Sequence, residues 1–445
     1  MRHLKNRRLC IFAALVLFLL PSPMLFSETV LDWGGSATGT AEFSDFHDFD
    51  AFGTDKIEPS AQAALWMRSR FSETLSLYGR AAYSYTSERP CFADVQSLYA
   101  SGRFILGESG GTGSPTLLSY RAGRFGFGEF TGYVFYHVLD GFRLNFEHRL
   151  FSIEAGAGYT GLSFIPSSSI LVTEGDVQNK NDAPDSFYGG YELASPKIIE
   201  TVKLTLPGIL MGQDIVVNGV LQQDLKAEDA EDGKIHTIHS GIGSRGRIVP
   251  SVYQSTFFYH NFGFGEYTTS AYLFGGGLNY YNKNLLYSRI SLRGLYSSGD
   301  NDQDSFYGGY EGDGEISGHF IKLSASPPSG LVFSPEIGNI SLGELSWSLQ
   351  PFAETAVRAL ERFQSSLSAL AFFRNTGGAI SKGGIDYSSS ESYLGSEVDV
   401  NLRFRPTSDL GLFLGGGVFI PNKAVFTEDK ESVQTVLRAD LRFSF

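Results

Sequence analysis

The last residues of the chain restrict its possible folds more than any other stretch. From Ser432 the sequence runs Ser-Val-Gln-Thr-Val-Leu-Arg-Ala-Asp-Leu-Arg-Phe-Ser-Phe445. Val433, Thr435, Leu437, Ala439, Leu441, Phe443 and Phe445 share one parity; Gln434, Val436, Arg438, Asp440, Arg442 and Ser444 share the other. Successive side chains of a strand point to opposite faces, so this run is a strand with one apolar and one polar side. Soluble strands are usually shorter, about five or six residues. A wall with lipid on one side and water on the other accounts for both the length and the alternation.

The same grammar runs upstream. In Leu394–Phe404 the apolar set alternates with Gly395, Glu397, Asp399, Asn401 and Arg403, and the turn Arg405–Asp409 leads into Leu410–Ile420. Trp66–Arg70 and Leu75–Thr86 flank a Phe-Ser-Glu-Thr turn, and Phe142, Leu144 and Phe146 alternate with Arg143, Asn145 and Glu147. Spaced about 23 residues apart, such segments predict an all-β chain: a single transmembrane antiparallel barrel of about 18 strands, with 16 as the alternative. Phe352–Phe373 is the exception. Ala353, Val357, Leu360, Leu367 and Leu370 also fit a helical period, which leaves helix and strand open there.

The N-terminus predicts the route. Arg2, Lys5, Arg7 and Arg8 precede an apolar run from Cys10 to Leu20, followed by Pro21, Pro23 and Ser27. This is the pattern of a secretory signal peptide over residues 1–27, which leaves 28–445 as the barrel. Its core is too short for a membrane-spanning helix, and no later segment is long enough either. With Cys10 in the leader, Cys91 stands alone and no intrachain disulfide forms. The expected location is the outer membrane of a double-membraned bacterium, with membrane lipid as a partner.

Charge narrows the partners further. The formal charge of −13 becomes more negative without the leader's four basic residues. Much of the acid sits in loop-like segments: Asp300, Asp302, Asp304, Glu311, Asp313 and Glu315, and the run Asp224–Asp232. Nucleic acid is therefore an unfavourable partner. Catalysis finds no support: the eight histidines are scattered, and His236 and His239, three apart, fall on opposite faces of a strand. No catalytic residue, metal ligand or cofactor is expected, and the chain does not read as an enzyme.

Two features point to transport. Arg68, Arg80, Arg103, Arg143, Arg289, Arg293, Arg403, Arg438 and Arg442 sit on strand positions, and Arg124 joins them as a lumen candidate. Lipid-facing Arg costs about 2–4 kcal/mol at mid-membrane, which favours the lumen. There they either form a basic ladder for anionic solutes or brace the wall against Glu147, Glu154, Glu397, Asp399 and Asp440. The second feature is an internal echo. Phe-Gly-Phe-Gly-Glu occurs at Phe125–Glu129 and Phe262–Glu266, and Asp-Ser-Phe-Tyr-Gly-Gly-Tyr at Asp185–Tyr191 and Asp304–Tyr310. The order suggests a duplicated block of strands. It makes Phe187, Tyr188, Tyr191, Phe306, Tyr307 and Tyr310 candidates for matching loops folded over a pore, unless these are Gly-rich loops without a ligand.

Several short motifs carry a family resemblance. Arg121-Ala-Gly-Arg124 followed by Leu139-Asp-Gly-Phe142 resembles the alginate-export and related porin-like outer-membrane barrels. So do Leu349–Phe352, Phe373-Arg374, Tyr393–Asp399, Arg405–Thr407 and Phe419–Pro421, which occur in that family's order. The resemblance covers about the last hundred residues and, more loosely, Arg121–Phe142. It implies an 18-stranded monomeric channel with an Arg-rich lumen. It favours strands over Phe352–Leu360 and Leu367–Phe373, and it makes Leu441, Phe443 and Phe445 the signal read by the barrel-assembly machinery. The acidic loops would repel a polyuronate, so alginate itself does not suit as cargo. The resulting expectation is a porin-like channel for diffusion or export of small hydrophilic or anionic solutes, oligosaccharides among them. The alternative is a surface-exposed structural or adhesive barrel.

Overall fold

Eighteen strands follow one another along the chain. The first nine are β1 (Val30–Ser44), β2 (Ile57–Ser72), β3 (Leu75–Thr86), β4 (Phe92–Ser109), β5 (Ser114–Gly128), β6 (Tyr136–His148), β7 (Phe151–Tyr159), β8 (Lys197–Leu210) and β9 (Gln213–Asp224). The others are β10 (Ile235–Val249), β11 (Val252–Gly265), β12 (Thr269–Asn282), β13 (Ser288–Ser297), β14 (Ile340–Leu349), β15 (Gln364–Arg374), β16 (Tyr393–Phe404), β17 (Leu410–Pro421) and β18 (Gln434–Ser444). One short helix, α1 (Glu174–Asn181), lies between β7 and β8. This computed structural model describes residues 30–44, 57–87, 92–109, 114–183, 192–226, 234–265, 268–304, 306–307, 316–428 and 430–445. The leader 1–27 and Cys91 lie outside the described residues.

Each strand pairs antiparallel with its neighbours in sequence, and β1 also pairs with β18, so the sheet is a closed barrel. The seam runs from Ser36 opposite Ser444 to Ser44 opposite Val436. The N–H of Gly35 donates to the Phe445 carbonyl at 3.0 Å, and the Phe445 N–H donates back at 3.1 Å. Two adjacent glycines make room for this exchange. A Cβ on Gly34 would stand 2.5 Å from the Phe445 carbonyl oxygen, and one on Gly35 would stand 2.6 Å from the Phe445 ring. Outside, Trp33 meets that ring edge-on at 6.3 Å.

The outer face is apolar and layered. Leu65, Leu98, Val202, Ile238, Leu292, Val398 and Leu441 form an exposed aliphatic band. Trp33, Tyr280, Trp347, Phe443 and Phe445 flank it at one end, and Tyr83, Phe262, Tyr272, Phe373 and Tyr393 at the other. Exposed aliphatic and aromatic side chains in such belts are the surface a bilayer covers.

The two ends differ in their connections. One end has short turns such as 73–74, 149–150 and 250–251; the other has long loops, above all 160–196 and 298–339. The segment 350–363 is the long member of the turn end, and it corrects the expectation of a strand over Phe352–Leu360. It is a run of turns closed by a 3-10 helix at Leu360–Arg362, and only Gln364–Arg374 pairs as a strand. Pro351 removes a ladder donor at the start of the segment, which accounts for the break. The strands expected at the C-terminus coincide with β16, β17 and β18 to within about two residues.

The seam generates a direct test. Gly34→Val should push the Phe445 carbonyl away and open the ladder, costing roughly 1–3 kcal/mol from overpacking alone. Folded barrels migrate differently before and after boiling in detergent gels. The variant should lose the fast-migrating form, and a full wild-type shift would contradict this reading of the seam.

Candidate pore and its lining

The lumen is filled on one side and open on the other. The residues that join β5 to β6, 129–135, cross to the far wall instead of standing above their own strands. Phe130 stacks on Tyr259 of β11 at 5.5 Å, and Tyr133 stacks on Phe257 at 5.4 Å. Glu129 organises this tip. Its carboxylate accepts from the Thr131 N–H (2.5 Å), the Thr131 hydroxyl (2.6 Å), the Val134 N–H (3.2 Å) and the Tyr259 hydroxyl (2.5 Å).

The loop 298–339 completes the filling. The Leu323 N–H donates to the Val134 carbonyl at 2.9 Å, and the Tyr136 N–H donates to the Ser324 hydroxyl at 2.8 Å. His239 Nε2 lies 2.7 Å from the Ile321 carbonyl, so that nitrogen carries the proton and donates. Lys322 pairs with Glu336. Burial lowers the Lys322 amine below its usual range, and Glu336 opposes that shift. Inward-facing residues of the filled side, among them Gln222, Thr237, His239, Asn261 and Phe372, are fully buried.

A third segment is pinned by buried charge. α1 starts at a capping box in which Thr173 accepts from Asp176 and Asp176 accepts back. Lys197, on β8, reaches Asp176 at 3.0 Å and Asp224 at 3.3 Å, and Lys226 reaches Asp176 at 3.2 Å. Burial alone would raise the Asp176 carboxyl, but Lys197, Lys226 and the Val172 N–H hold it at about 2. A carboxyl depressed in the fold contributes its full stability above its unfolded value, and the contribution declines progressively as pH falls from the unfolded through the folded value.

Along β1–β6 the lumen face remains partly open and carries an aromatic rail. Trp66, Tyr78, Tyr99, Phe125 and Phe127 follow one another across β2 to β5, with centroids 6.4, 5.2, 5.9 and 4.4 Å apart. Guanidinium groups lie on these rings: Arg68 over Tyr78 at 5.6 Å, Arg121 over Tyr99 at 4.5 Å, and Arg143 over Phe125 at 5.2 Å. Arg121 also lies 5.4 Å from the centroid of the Phe125 ring, so two cations share one aromatic ring. Arg121 and Arg143 are register partners, as are Arg80 and Trp66. Arg80 and Arg121 have buried Nε atoms without a hydrogen-bond partner.

The other candidates divide by what surrounds them. Arg293 is braced by Glu344 (2.7 Å) and by the Tyr133 hydroxyl (3.0 Å). Arg438 is held by Asp440 at 3.0 Å and approaches Glu42 at 3.9 Å. Arg143 approaches Glu154 at 3.9 Å, but Lys203 binds that carboxylate more closely, at 3.0 Å. Arg289 donates to Asn279 Oδ1 near the turn end, Arg403 lies over Phe413 at 5.8 Å, and Arg442 is exposed. Arg124 has the opposite parity to Arg121 and Arg143. It is consumed by a bidentate bond to Asp140 (3.0 and 2.7 Å) and by the Val95 and Leu162 carbonyls.

The repeated motifs lie six strands apart, at the ends of β5 and β11 and in the loops after β7 and β13. Their side chains do not share a role. Phe125 and Phe127 are buried inward, whereas Phe262 and Phe264 are exposed outward. Phe306 packs edge-on against Tyr307 and His319, and Tyr307 lies beside Lys322. Phe187, Tyr188, Tyr191 and Tyr310 lie outside the described residues. Leu441, Phe443 and Phe445 all face outward. Among the described residues no cluster of three or more metal-ligating side chains occurs.

Solved barrels resemble this architecture. OccK11 (OpdR) of Pseudomonas aeruginosa superposes with a TM-score of 0.55 at 14% identity, covering 93% of this chain and 96% of that one. OpdO of the same organism gives 0.57 at 12%, with 95% and 98% covered. OccAB2 of Acinetobacter baumannii gives 0.55 at 8%, with 94% and 98% covered. At such identities the likeness extends to the fold. No protein-family model and no curated protein matches the sequence.

The α1 anchor yields a prediction with a defined sign. In folded barrel, Asp176→Asn should release 160–183 to protease, since breaking one partner of a buried charge network costs about 3–5 kcal/mol. Wild-type protection by hydrogen exchange should be nearly the same at pH 7 and pH 4, weaken below that and be lost as pH falls through about 2. Loss of protection between pH 6 and 4 would refute the anchor.

Proposed function

We propose that the protein is a porin-like channel of the outer membrane that passes small anionic or hydrophilic solutes along the open side of its lumen. The observation that carries this reading is the rail on β2–β6. The guanidinium groups of Arg68, Arg121 and Arg143 lie over aromatic rings, and for Arg68, Arg80 and Arg121 no carboxylate of the described residues lies in ion-pair distance. Cation–π contact fixes a guanidinium without neutralising it. A fork held in this way keeps N–H donors for carboxylate or phosphate groups passing through the lumen. The braced arginines Arg293 and Arg438 instead stiffen the wall.

The aliphatic band between two aromatic belts supports membrane insertion, with the short turns toward the periplasm and the long loops outside. The cleavable leader would deliver the chain there, and Leu441, Phe443 and Phe445 would present it to the assembly machinery. A single closed barrel with its own lumen suits a monomer. Kinship with alginate exporters rests on the short motifs alone, and the fold likeness to Occ barrels lends weight to a small-solute channel instead.

Planar bilayers test the reading. Wild-type protein should give ion-selective conductance that favours anions across a salt gradient. Arg121→Gln with Arg143→Gln should shift the reversal potential toward cations. Arg438→Gln with Asp440→Asn should leave it nearly unchanged, because removing a paired cation and anion together leaves the net charge of the lumen as it was. A double variant with wild-type selectivity would remove the rail from the mechanism.

A further inference from the structure

We propose that Glu397 sets the size limit of the passage by tying down a strap, residues 325–332, that borders the open lumen; this rests on the channel reading above. Within the loop 298–339 this stretch combines exposure with contact to the inward wall: Ala325, Pro327 and Pro328 are exposed, whereas Ile321–Ser324 before it and Phe333 after it are buried. Pro327-Pro328 has no backbone donors and a fixed φ, so the strap is stiff and needs external ties to stay against the wall. Its inner end is wedged by Phe333, which stacks on Phe419 of β17 at 4.4 Å.

The shortest ties run to one carboxylate. Glu397, inward on β16, accepts the N–H groups of Leu331 (2.6 Å), Val332 (2.8 Å) and Phe333 (2.7 Å). Asp399, two residues along on the same face, accepts from Leu331 at 3.3 Å. Longer ties come from Arg293, which donates to the Ser329 carbonyl at 3.3 Å, and from the Ser326 hydroxyl, which donates to the Tyr133 carbonyl at 3.5 Å. Two glycines permit the docking. A Cβ on Gly330 would meet the Glu397 carboxylate at 2.5 Å, and one on Gly417 would meet Asp399 at 2.5 Å and Val332 at 2.7 Å.

The charge arrangement makes the strap removable. Glu397 is 1% exposed and Asp399 5%, and among the described residues neither has a cationic partner. One oxygen of Asp399 is buried without a hydrogen bond. Two adjacent buried carboxylates without a cation carry a desolvation penalty. Lifting the strap lets lumen water reach both and relieves that penalty, while the four N–H bonds to Glu397 and Asp399 are lost. Gain and loss oppose each other, which is the condition for an element with two accessible positions. Glu397 is thus a positioning residue: it touches the strap rather than the solute.

Single-channel recording with wild-type protein, Glu397→Gln and Gly330→Ala tests this. Gln places an amide donor among three N–H donors and should free the strap. Conductance should rise on the order of twofold, and larger uncharged polyethylene glycols should enter the pore. Gly330→Ala keeps both carboxylates, but its Cβ would stand 2.5 Å from the Glu397 carboxylate, so it should lift the strap and give the same two changes. If the wild type conducts and Glu397→Gln keeps its size limit, the strap is refuted and the channel stands. If the wild type does not conduct, both are refuted. Should Glu397→Gln fail to fold, Gly330→Ala decides, and an unchanged size limit in that variant refutes the strap.

Discussion

The closure of β1 on β18 is the constraint on which the rest depends. A sheet of this width left open would present two unpaired edges, each a row of N–H and C=O groups that lipid cannot satisfy. The seam removes both, and it accounts for details at the chain end. Gly34 and Gly35 are small because the Phe445 carbonyl and ring occupy the space where their side chains would be. The final residue is therefore part of the ladder, exchanging two hydrogen bonds with Gly35. Closure also fixes the strand number and with it the diameter. Eighteen strands enclose more space than wall side chains can fill, so the width of any passage is decided by what enters the lumen from the loops.

That filling is asymmetric, and the asymmetry locates the open lumen. The tip after β5 and the loop after β13 lean toward β10, β11, β16 and β17, where inward polar groups receive loop backbone as partners. His239, Asn261, Glu129 and Glu397 are all buried and all engaged in this way. Among the described residues no inserted segment covers the lumen face of β1–β3, and its polar residues remain partly exposed. A buried polar group without a partner is costly, so the residues of the filled side and the segments resting on them are mutually dependent.

This dependence explains what the sequence discloses. Alternation fixes which side of a strand a residue occupies, and so the faces of β16, β17 and β18 can be read from parity alone. Parity also places His236 and His239 on opposite faces. It does not say what lies over a face. The two Phe-Gly-Phe-Gly-Glu motifs are identical over five residues, yet one packs inward under the crossing tip and the other faces outward. The segment 352–363 misleads for a different reason. Its Ala and Leu spacing is compatible with several structures, and the break at Pro351 decides among them. Arg121 was legible only as part of a family motif, because its significance comes from register with Arg143 and from Phe125 between them.

The arginines show why residue type alone does not assign a role inside a barrel. All face a similar wall, but the cross-strand neighbour differs. Where that neighbour is a carboxylate, the positive charge is offset and its field in the lumen is small: Glu344 stands 2.7 Å from Arg293 and Glu42 3.9 Å from Arg438, which Asp440 of its own strand also holds at 3.0 Å. Where it is an aromatic ring, the ring quadrupole holds the guanidinium in place while the net charge remains. Arg124 is a third case: its donors are used by Asp140 and by the Val95 and Leu162 carbonyls, so it ties β4, β6 and the start of the loop after β7 together rather than lining the lumen. Selectivity in this barrel therefore depends on which strand stands beside each arginine, a property of register that no single strand contains.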